Sequence, residues 1–329
     1  RVASRGLGDV YKRQFLTNLK VRGWLDYETL SKIRSDIIIV TLTGDRHGKP
    51  QVDYTVNPAL GIPDITGHEG SVDPVANAIP AWDMIAGNMC VSSLLAAERY
   101  RLRHGVGQDV EIALKDVASA AIGHLGMIAD TTLNTDDRTK AGNSLYGAYG
   151  KDFLCADGNR VMIIGLTSRQ WAGIVKATDT AEQFKQLEMQ NNINLQDESI
   201  RWKWRHAITE IIEPWFKIRK VEDFASNFDK IGLTWSVFRS VREALDFDPD
   251  LTEDNPLFKK ILQPDAGEFL VPKHPANFSK VENSDPTAAP ILGEHTEEIL
   301  GDVLNLSDIE VSNLFDNGVV ASPSFHKNK

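Results

Sequence analysis

Apolar and polar positions divide the chain into readable blocks. Asp36–Thr43 (DIIIVTLT) is a continuous β-branched run, the pattern of a parallel strand covered on both faces. Leu25–Arg34 ahead of it predicts a short helix. Trp82–Arg103 predicts the longest helix, with Met84, Ile85, Met89, Leu94 and Leu95 as its apolar positions. Arg99, Arg101 and Arg103 fall in its last turns, where they complement the helix dipole, and Gly105 stops it. Asp109–Leu114 alternates as a strand, and Lys115–Asp130 returns to an Ala/Ile/Leu helix. Strand and helix taking turns in this way predict an α/β layer with parallel strands. Between the first strand and the long helix, Gly44–Pro80 is rich in Gly, Pro and Asp and has no period, so it is expected to be loop. A loop of that length in a compact domain is usually functional.

The pattern changes at Tyr146. YGAYGKDFLCADGNRVMIIGL (Tyr146–Leu166) reads as a hairpin turning at Asp157-Gly158-Asn159. Helices are predicted around Ser168–Ala177, Thr180–Met189, Glu198–Phe216 and Val221–Phe228, and a strand around Leu233–Arg239. A helix opening at Val241 leads into a Pro-rich stretch, Pro256 to Pro290. Two amphipathic helices, His295–Leu304 and Ser307–Phe315, close the chain. The opening RVASRGLGDVYKRQ has no apolar period and reads as a non-native segment, so Arg1–Gln14 is set aside from fold reasoning. The native reading starts near Phe15, within a longer gene.

Composition narrows the partners. A formal charge of −10 over 329 residues argues against a nucleic-acid binder, which would carry a basic face. A few arginines can still hold a polyanion in an acidic protein. Two cysteines, Cys90 and Cys155, cannot build a disulfide framework and suit a reducing cytoplasm. No apolar run has the length of a membrane span and no secretory signal is visible, so a cytoplasmic protein without membrane association is expected. His68 lies beside Glu69 and His295 beside Glu294, yet no H-x-x-x-H or H-E-x-x-H spacing occurs, and no metal site is expected. His124, in an apolar helix, reads as a core residue. Trp202 and Trp204, just ahead of Arg205, read as packing residues of the smaller domain. Neither Gly142-Asn143 nor the Gly105–Gln108 turn is a dinucleotide fingerprint.

The chemistry is carried by Ala78–Ala118, AIPAWDMIAGNMCVSSLLAAERYRLRHGVGQDVEIALKDVA. An aspartate, Asp83, opens a long helix. The helix runs into an R-x-x-x-G-x-G-Q turn formed by Arg101, Gly105, Gly107 and Gln108. A strand from Asp109 and a helix carrying Asp116 follow, and GEHTEEIL (Gly293–Leu300) closes the pattern. In this order and spacing the segments resemble the class III CoA-transferase family. Val52–Gly67 (VDYTVNPALGIPDITG), Ile122–Asp130, Gly142–Phe153 and Arg22–Leu30 resemble one branch of it. That branch moves CoA from C1 to C4 of a single C5 dicarboxylic acid, mesaconate.

The resemblance implies Asp83 as nucleophile, where an isolated Asp would ordinarily be a helix cap. It places Asn18 and Arg22 at CoA, with Leu19 in place of the family's usual aromatic. Tyr54 and Asn57 are implied to line the acyl pocket, and Tyr146, Tyr149 and Lys151 to close over substrate. The implied substrate is an acyl-CoA thioester of a C5 dicarboxylic acid, with no cofactor expected beyond the CoA that substrate carries. The implied fold is α/β, a Rossmann-like larger domain with a smaller α+β domain, in an interlocked homodimer. Residues 15–145 and 286–329 would form the larger domain and 146–285 the smaller. An intermolecular transferase would use the same residues. A racemase of the same fold needs a histidine where this chain has Val52, and a non-catalytic relic sits poorly with the Asp83 signature.

Overall fold

The computed structural model describes residues 13–20 and 23–323. They fall into two compact units that divide between Val237 and Phe238; each is described by itself. In the first unit, β1 (Gln14–Thr17), β2 (Ile38–Thr43) and β3 (Gln108–Ala113) form a parallel sheet in the order β1-β2-β3. Gln14 pairs with Ile38, and Ile38 with Gln108. β2 is central, and Ile38, Ile39 and Val40 are buried on both of its faces, as its unbroken β-branched run requires. Gln14, set aside on sequence grounds, belongs to this ladder, and its side chain donates to Glu98 at 3.3 Å.

α1 (Tyr27–Ile33) connects β1 to β2. The Gly44–Pro80 segment is mainly loop, as its composition predicts, with two short helices inside it. They are α2 (Asp53–Ala59) and a single turn, α3 (Ile62–Ile65), whose amphipathic signals are too short to show a period. α4 (Ala81–His104) then crosses the sheet and returns the chain to β3. Its buried residues are Trp82, Ala86, Cys90, Ala97 and Arg101, spaced by four and seven, which forms one ridge. The small side chains bring the helix close to the strands. The large apolar positions named in the sequence are not the ones buried. Met84, Ile85, Met89 and Leu95 are exposed, Met84 at 59 %, and Leu94 is only partly covered.

The turn from α4 to β3 is built by sterics. Gly105 is left-handed (φ 73°) and donates to the Arg101 carbonyl at 2.7 Å, a common helix ending. A Cβ on Gly107 would lie 1.7 Å from the Ile37 carbonyl oxygen, so only glycine fits. Arg101 is buried and donates to the Arg13 carbonyl (3.1 Å) and to Glu98 (3.4 Å), tying α4 to the start of the sheet.

α5 (Leu114–His124) and α6 (Met127–Leu133) replace the single helix expected over Lys115–Asp130. The break falls at Leu125-Gly126, with Gly126 at φ 76°. It leaves His124 exposed and not in the core.

A second core lies in the same unit. β4 (Tyr149–Leu154), β5 (Arg160–Gly165) and β6 (Thr234–Val237) form an antiparallel sheet. α7 (Ser168–Thr178), α8 (Ala181–Asn191), α9 (Glu198–Lys203), α10 (Arg205–Lys217) and α11 (Ala225–Ile231) are the helices of this half. The helix expected over Glu198–Phe216 is two helices, broken at Trp204. Phe153 and Phe216 stack with centroids 4.6 Å apart, and Trp171, Ile208, Ile212 and Phe228 fill the rest. Arg201 is fully buried and, among the described residues, has no carboxylate at its guanidinium. It donates to the carbonyls of Leu195 (2.8 Å), Gln196 (2.9 Å) and Leu166 (2.7 Å). Arg205 pairs with Glu69 at 2.6 Å, which joins this half to the segment after α3.

The second unit contains α12 (Val241–Phe247) and a hairpin of β7 (Phe258–Gln263) and β8 (Gly267–Pro272) inside the Pro-rich stretch, where the sequence pattern predicts no element. The final predicted pair is present as α13 (Thr296–Glu298), continued by a wider turn over Ile299–Val303, and α14 (Asp308–Asp316). Among the described residues no helix is long and apolar enough to cross a membrane.

Candidate active site

The carboxyl ends of the three parallel strands meet at one cavity of about 440 Å³. β1 delivers Asn18 and Lys20 just past its end, β2 delivers Leu42, Thr43 and Gly44, and β3 is followed there by Leu114. Such crevices at the carboxyl ends of parallel strands are where open α/β sheets bind ligands. The fourth wall is the head of α4, which contributes Asp83. The fifth is the Gly48–Val52 segment. Gly44 permits that last wall, because a Cβ there would meet the Gln51 nitrogen at 2.3 Å and the Lys49 carbonyl at 2.5 Å. Asp45 then fixes the turn, accepting from the backbone N–H groups of His47 (2.9 Å) and Lys49 (2.8 Å).

Asp83 is the third residue of α4, and its side chain is exposed toward this space. Its pKa is raised above the ordinary aspartate value, first by partial burial and then by the negative charge of Asp53. Among the described residues its carboxylate accepts no hydrogen bond. A carboxylate left without donors is a more basic nucleophile than a capped one. Two cations share the cavity. Lys20 is paired with Glu111 at 2.6 Å, and Lys49 makes no ion pair among the described residues.

The N-terminus of α4 is organised from α2. Its own N-cap position is Pro80, which has no capping side chain. Asp53, the first residue of α2 and only 3 % exposed, supplies the missing acceptor: its Oδ2 receives the Trp82 N–H at 2.7 Å and the Asp83 N–H at 3.4 Å. One turn further along α2, Asn57 accepts from the Trp82 indole N–H at 3.0 Å and from the Asn77 amide at 3.5 Å. The remaining donors of the first turn are also used, Ala81 N–H on the Ile79 carbonyl and Met84 N–H on the Pro80 carbonyl. The amides at the head of α4 are therefore not free to receive an oxyanion next to Asp83.

Of the residues singled out in the sequence, Asp83 and Asn18 come together in the cavity, and Arg22 lies outside the described residues. Tyr54 is exposed on α2, Asn57 is buried and committed to Trp82, and neither lines the cavity. Tyr146, Tyr149 and Lys151 do not line it either. Tyr149 is a core residue that shares a hydrogen bond with Thr209 at 3.2 Å, and burial pushes its hydroxyl well above the usual range. Tyr146 is half exposed. The Arg138 guanidinium sits 3.3 Å above its ring, the Trp202 ring centroid lies 4.9 Å away, and its hydroxyl donates to Asp130 at 3.2 Å. Lys151 sits 3.4 Å from Asp152. A second cavity of about 490 Å³, between the α2–α3 region and α5–α6, is lined by Asp130 and Arg138 but holds none of these candidates. Lys20, Lys49, Gln51 and Asp53 went unread in the sequence. A lysine two residues beyond Asn18 and an aspartate opening a helix were the available signals.

A carboxylate at the head of a helix, facing a crevice at the ends of parallel strands beside two lysines, is an arrangement suited to acyl transfer between anionic substrates. The sequence comparison narrows the class: residues 8–296 match the model of CoA-transferase family III, and the chain belongs to that family. It is 47 % identical to 2-methylfumaryl-CoA isomerase of Chloroflexus aurantiacus, over 94 % of this chain and 76 % of that protein. It is 23 % identical to human succinyl-CoA:glutarate CoA-transferase, over 97 % of this chain and 71 % of the other. Among solved structures, a CAIB/BAIF family protein from Brucella suis shares the fold. Its TM-score is 0.67 at 21 % identity, with 90 % of this chain and 78 % of that one covered.

Proposed function

We propose that the protein is a cytoplasmic enzyme that moves CoA between the two carboxylates of one molecule, converting 2-methylfumaryl-CoA into its C4 ester through an aspartyl-CoA thioester on Asp83. The observation that carries the chemistry is the placement of Asp83, a carboxylate without hydrogen-bond donors, in the crevice at the strand ends. The 47 % identity to the isomerase favours that substrate over the pairs of acids used by the more distant transferases.

The steps balance without added acid or base. The Asp83 carboxylate attacks the C1 thioester carbonyl, the C–S bond breaks, and CoA leaves as thiolate, so that Asp83 and the C1 acyl group remain joined as a mixed anhydride. The thiolate attacks the Asp83 side-chain carbonyl and releases methylfumarate as a dianion, which leaves Asp83 as a CoA thioester. The C4 carboxylate attacks that thioester to give the second anhydride, and the thiolate then takes the C4 acyl group and frees Asp83. Each step exchanges one acyl bond for another, which is the advantage of covalent catalysis here. The dianion has to stay in place between the halves. Lys49, and Lys20 despite its pairing, supply positive charge in the same cavity. With the amides at the head of α4 occupied, these side chains and Gln51 are the donors available to a developing oxyanion.

The working form is a homodimer, with the exposed apolar residues of α4 as covered surface. Met84, Ile85, Met89, Val91, Leu95 and Leu102 line one long helix, and Leu102 is 80 % exposed. Exposed large apolar side chains gathered along one helix mark an interaction surface.

The test offers 2-methylfumaryl-CoA together with isotopically labelled free mesaconate. The C4 ester should form with little label, and hydroxylamine should trap an adduct on the Asp83 peptide only while acyl-CoA is present. Rapid entry of label from the free acid would replace the intramolecular reading with an ordinary transferase. An adduct on another aspartate would remove Asp83 from the mechanism.

A further inference from the structure

Among the described residues, Asp53 is a buried carboxylate with no cation against it. Its one side-chain polar commitment among them is to the head of the helix that carries the proposed nucleophile, 30 residues further along the chain. We infer that Asp53 is a positioning residue for Asp83, with two effects that can be separated. It acts as the N-cap that α4 lacks, fixing the backbone of residues 82 and 83, and its charge keeps the Asp83 carboxylate basic. The inference rests on Asp83 being the nucleophile.

The geometry supports the first effect. An N-cap side chain normally accepts from the second or third helical N–H. Asp53 reaches both of those positions, Trp82 and Asp83, from a different helix. Pro80 leaves that place vacant. Trp82 is held a second time through its indole by Asn57 on the same helix. The backbone that aims Asp83 is therefore clamped to α2 and carried by it. An error of an ångström in such placement can lower a rate on the order of a hundredfold.

The second effect follows from like charge. The cations that line the cavity with Asp83 are Lys49 from the Gly44–Gln51 segment and Lys20, already paired with Glu111, from beyond β1, while Asp53 is buried on α2 beneath the Asp83 backbone and outside the lining. Asp53 is the charge that acts on Asp83 in the direction of a raised pKa, reinforcing burial. Without its charge, Asp83 should ionise more easily and become a weaker nucleophile.

The experiment compares wild type, Asp53→Asn and Asp53→Ala in the full chain. It uses 2-methylfumaryl-CoA as probe and follows formation of the Asp83 adduct by hydroxylamine trapping and mass analysis across pH. Asp53→Asn keeps an acceptor for the Trp82 N–H and loses the charge. It should stay folded and keep the adduct on Asp83, with the acid limb of the rate moved to lower pH. Asp53→Ala loses the cap as well, and its plateau rate should fall on the order of a hundredfold. If the alanine variant fails to fold, the asparagine variant carries the test. An acid limb unmoved in Asp53→Asn overturns the electrostatic half, and a plateau rate kept in a folded Asp53→Ala overturns the positioning half. An adduct that in wild type maps away from Asp83 instead refutes the nucleophile assignment, a distinct result.

Discussion

Replacing Gly107 by alanine adds one carbon at the tightest point of the parallel sheet. That carbon would lie 1.7 Å from the Ile37 carbonyl oxygen, 2.5 Å from the Ile37 carbonyl carbon and 2.6 Å from that of Asp36. All three belong to backbone, so no side chain can swing away. The chain must part by more than an ångström where β2 and β3 begin their ladder at Ile38 and Gln108. Losing about two ladder hydrogen bonds costs about 2 kcal/mol. Loosened packing of Ile38 and Val40 adds a similar amount, for a total of about 3–5 kcal/mol, at the severe end for single substitutions. For a unit of this size that lowers Tm by roughly 6–20 °C. Gly105→Ala is the control. Its Cβ would meet nothing within 4 Å, and it suffers only from a left-handed φ of 73°, worth about 1–2 kcal/mol. Urea and thermal unfolding of both variants, followed by circular dichroism, provide the check. A Gly107→Ala protein within about 1 kcal/mol of wild type, or one more stable than Gly105→Ala, would refute the steric account.

Two further outcomes are expected. Asp83 has a raised pKa in the fold, so between its unfolded and folded values the native state binds more protons and stability declines as pH rises through that window. Asp83→Asn should therefore abolish turnover yet be slightly more stable than wild type at neutral pH, with the difference vanishing in acid; equal or lower stability at neutral pH in denaturant titrations would contradict this. Both cysteines are buried and their thiols are pushed up in pKa by burial, Cys155 to about 11 with Asp157 contributing. Neither should react with a thiol-modifying disulfide until the chain unfolds, and stoichiometric labelling of native protein at neutral pH would refute their placement.

Much of the fold was legible because its signals are local. The β2 run, the two ends of α4 and the Asp157–Asn159 turn each announce themselves within a few residues. The buried face of α4 was misread for a physical reason. A helix packed tightly on a sheet buries its small residues, Ala86, Cys90 and Ala97 here, and leaves the larger apolar ones outward. Hydropathy alone ranks them the other way. The β7–β8 hairpin was hidden because Lys259 and Lys260 interrupt its alternation and Asp265 makes its turn with a left-handed backbone (φ 60°) and no leading Asn-Gly signal. Asp83 was legible from its surroundings in the sequence. Asp53 was not, because opening a helix is an ordinary place for an aspartate, and its partner lies a long way down the chain.

The R-x-x-x-G-x-G-Q turn that made the family legible never touches the cavity through its arginine or its glycines. Arg101 ties strand starts together, Gly105 ends a helix, and Gly107 makes room for a carbonyl. Those three demands come from the backbone and would persist in a descendant that had given up chemistry altogether. A search keyed to this turn therefore retrieves shapes, including catalytically silent ones. Under the proposed mechanism, a search meant to retrieve enzymes would instead require the aspartate pair at positions 53 and 83, since nothing in the architecture obliges the second of them to be acidic.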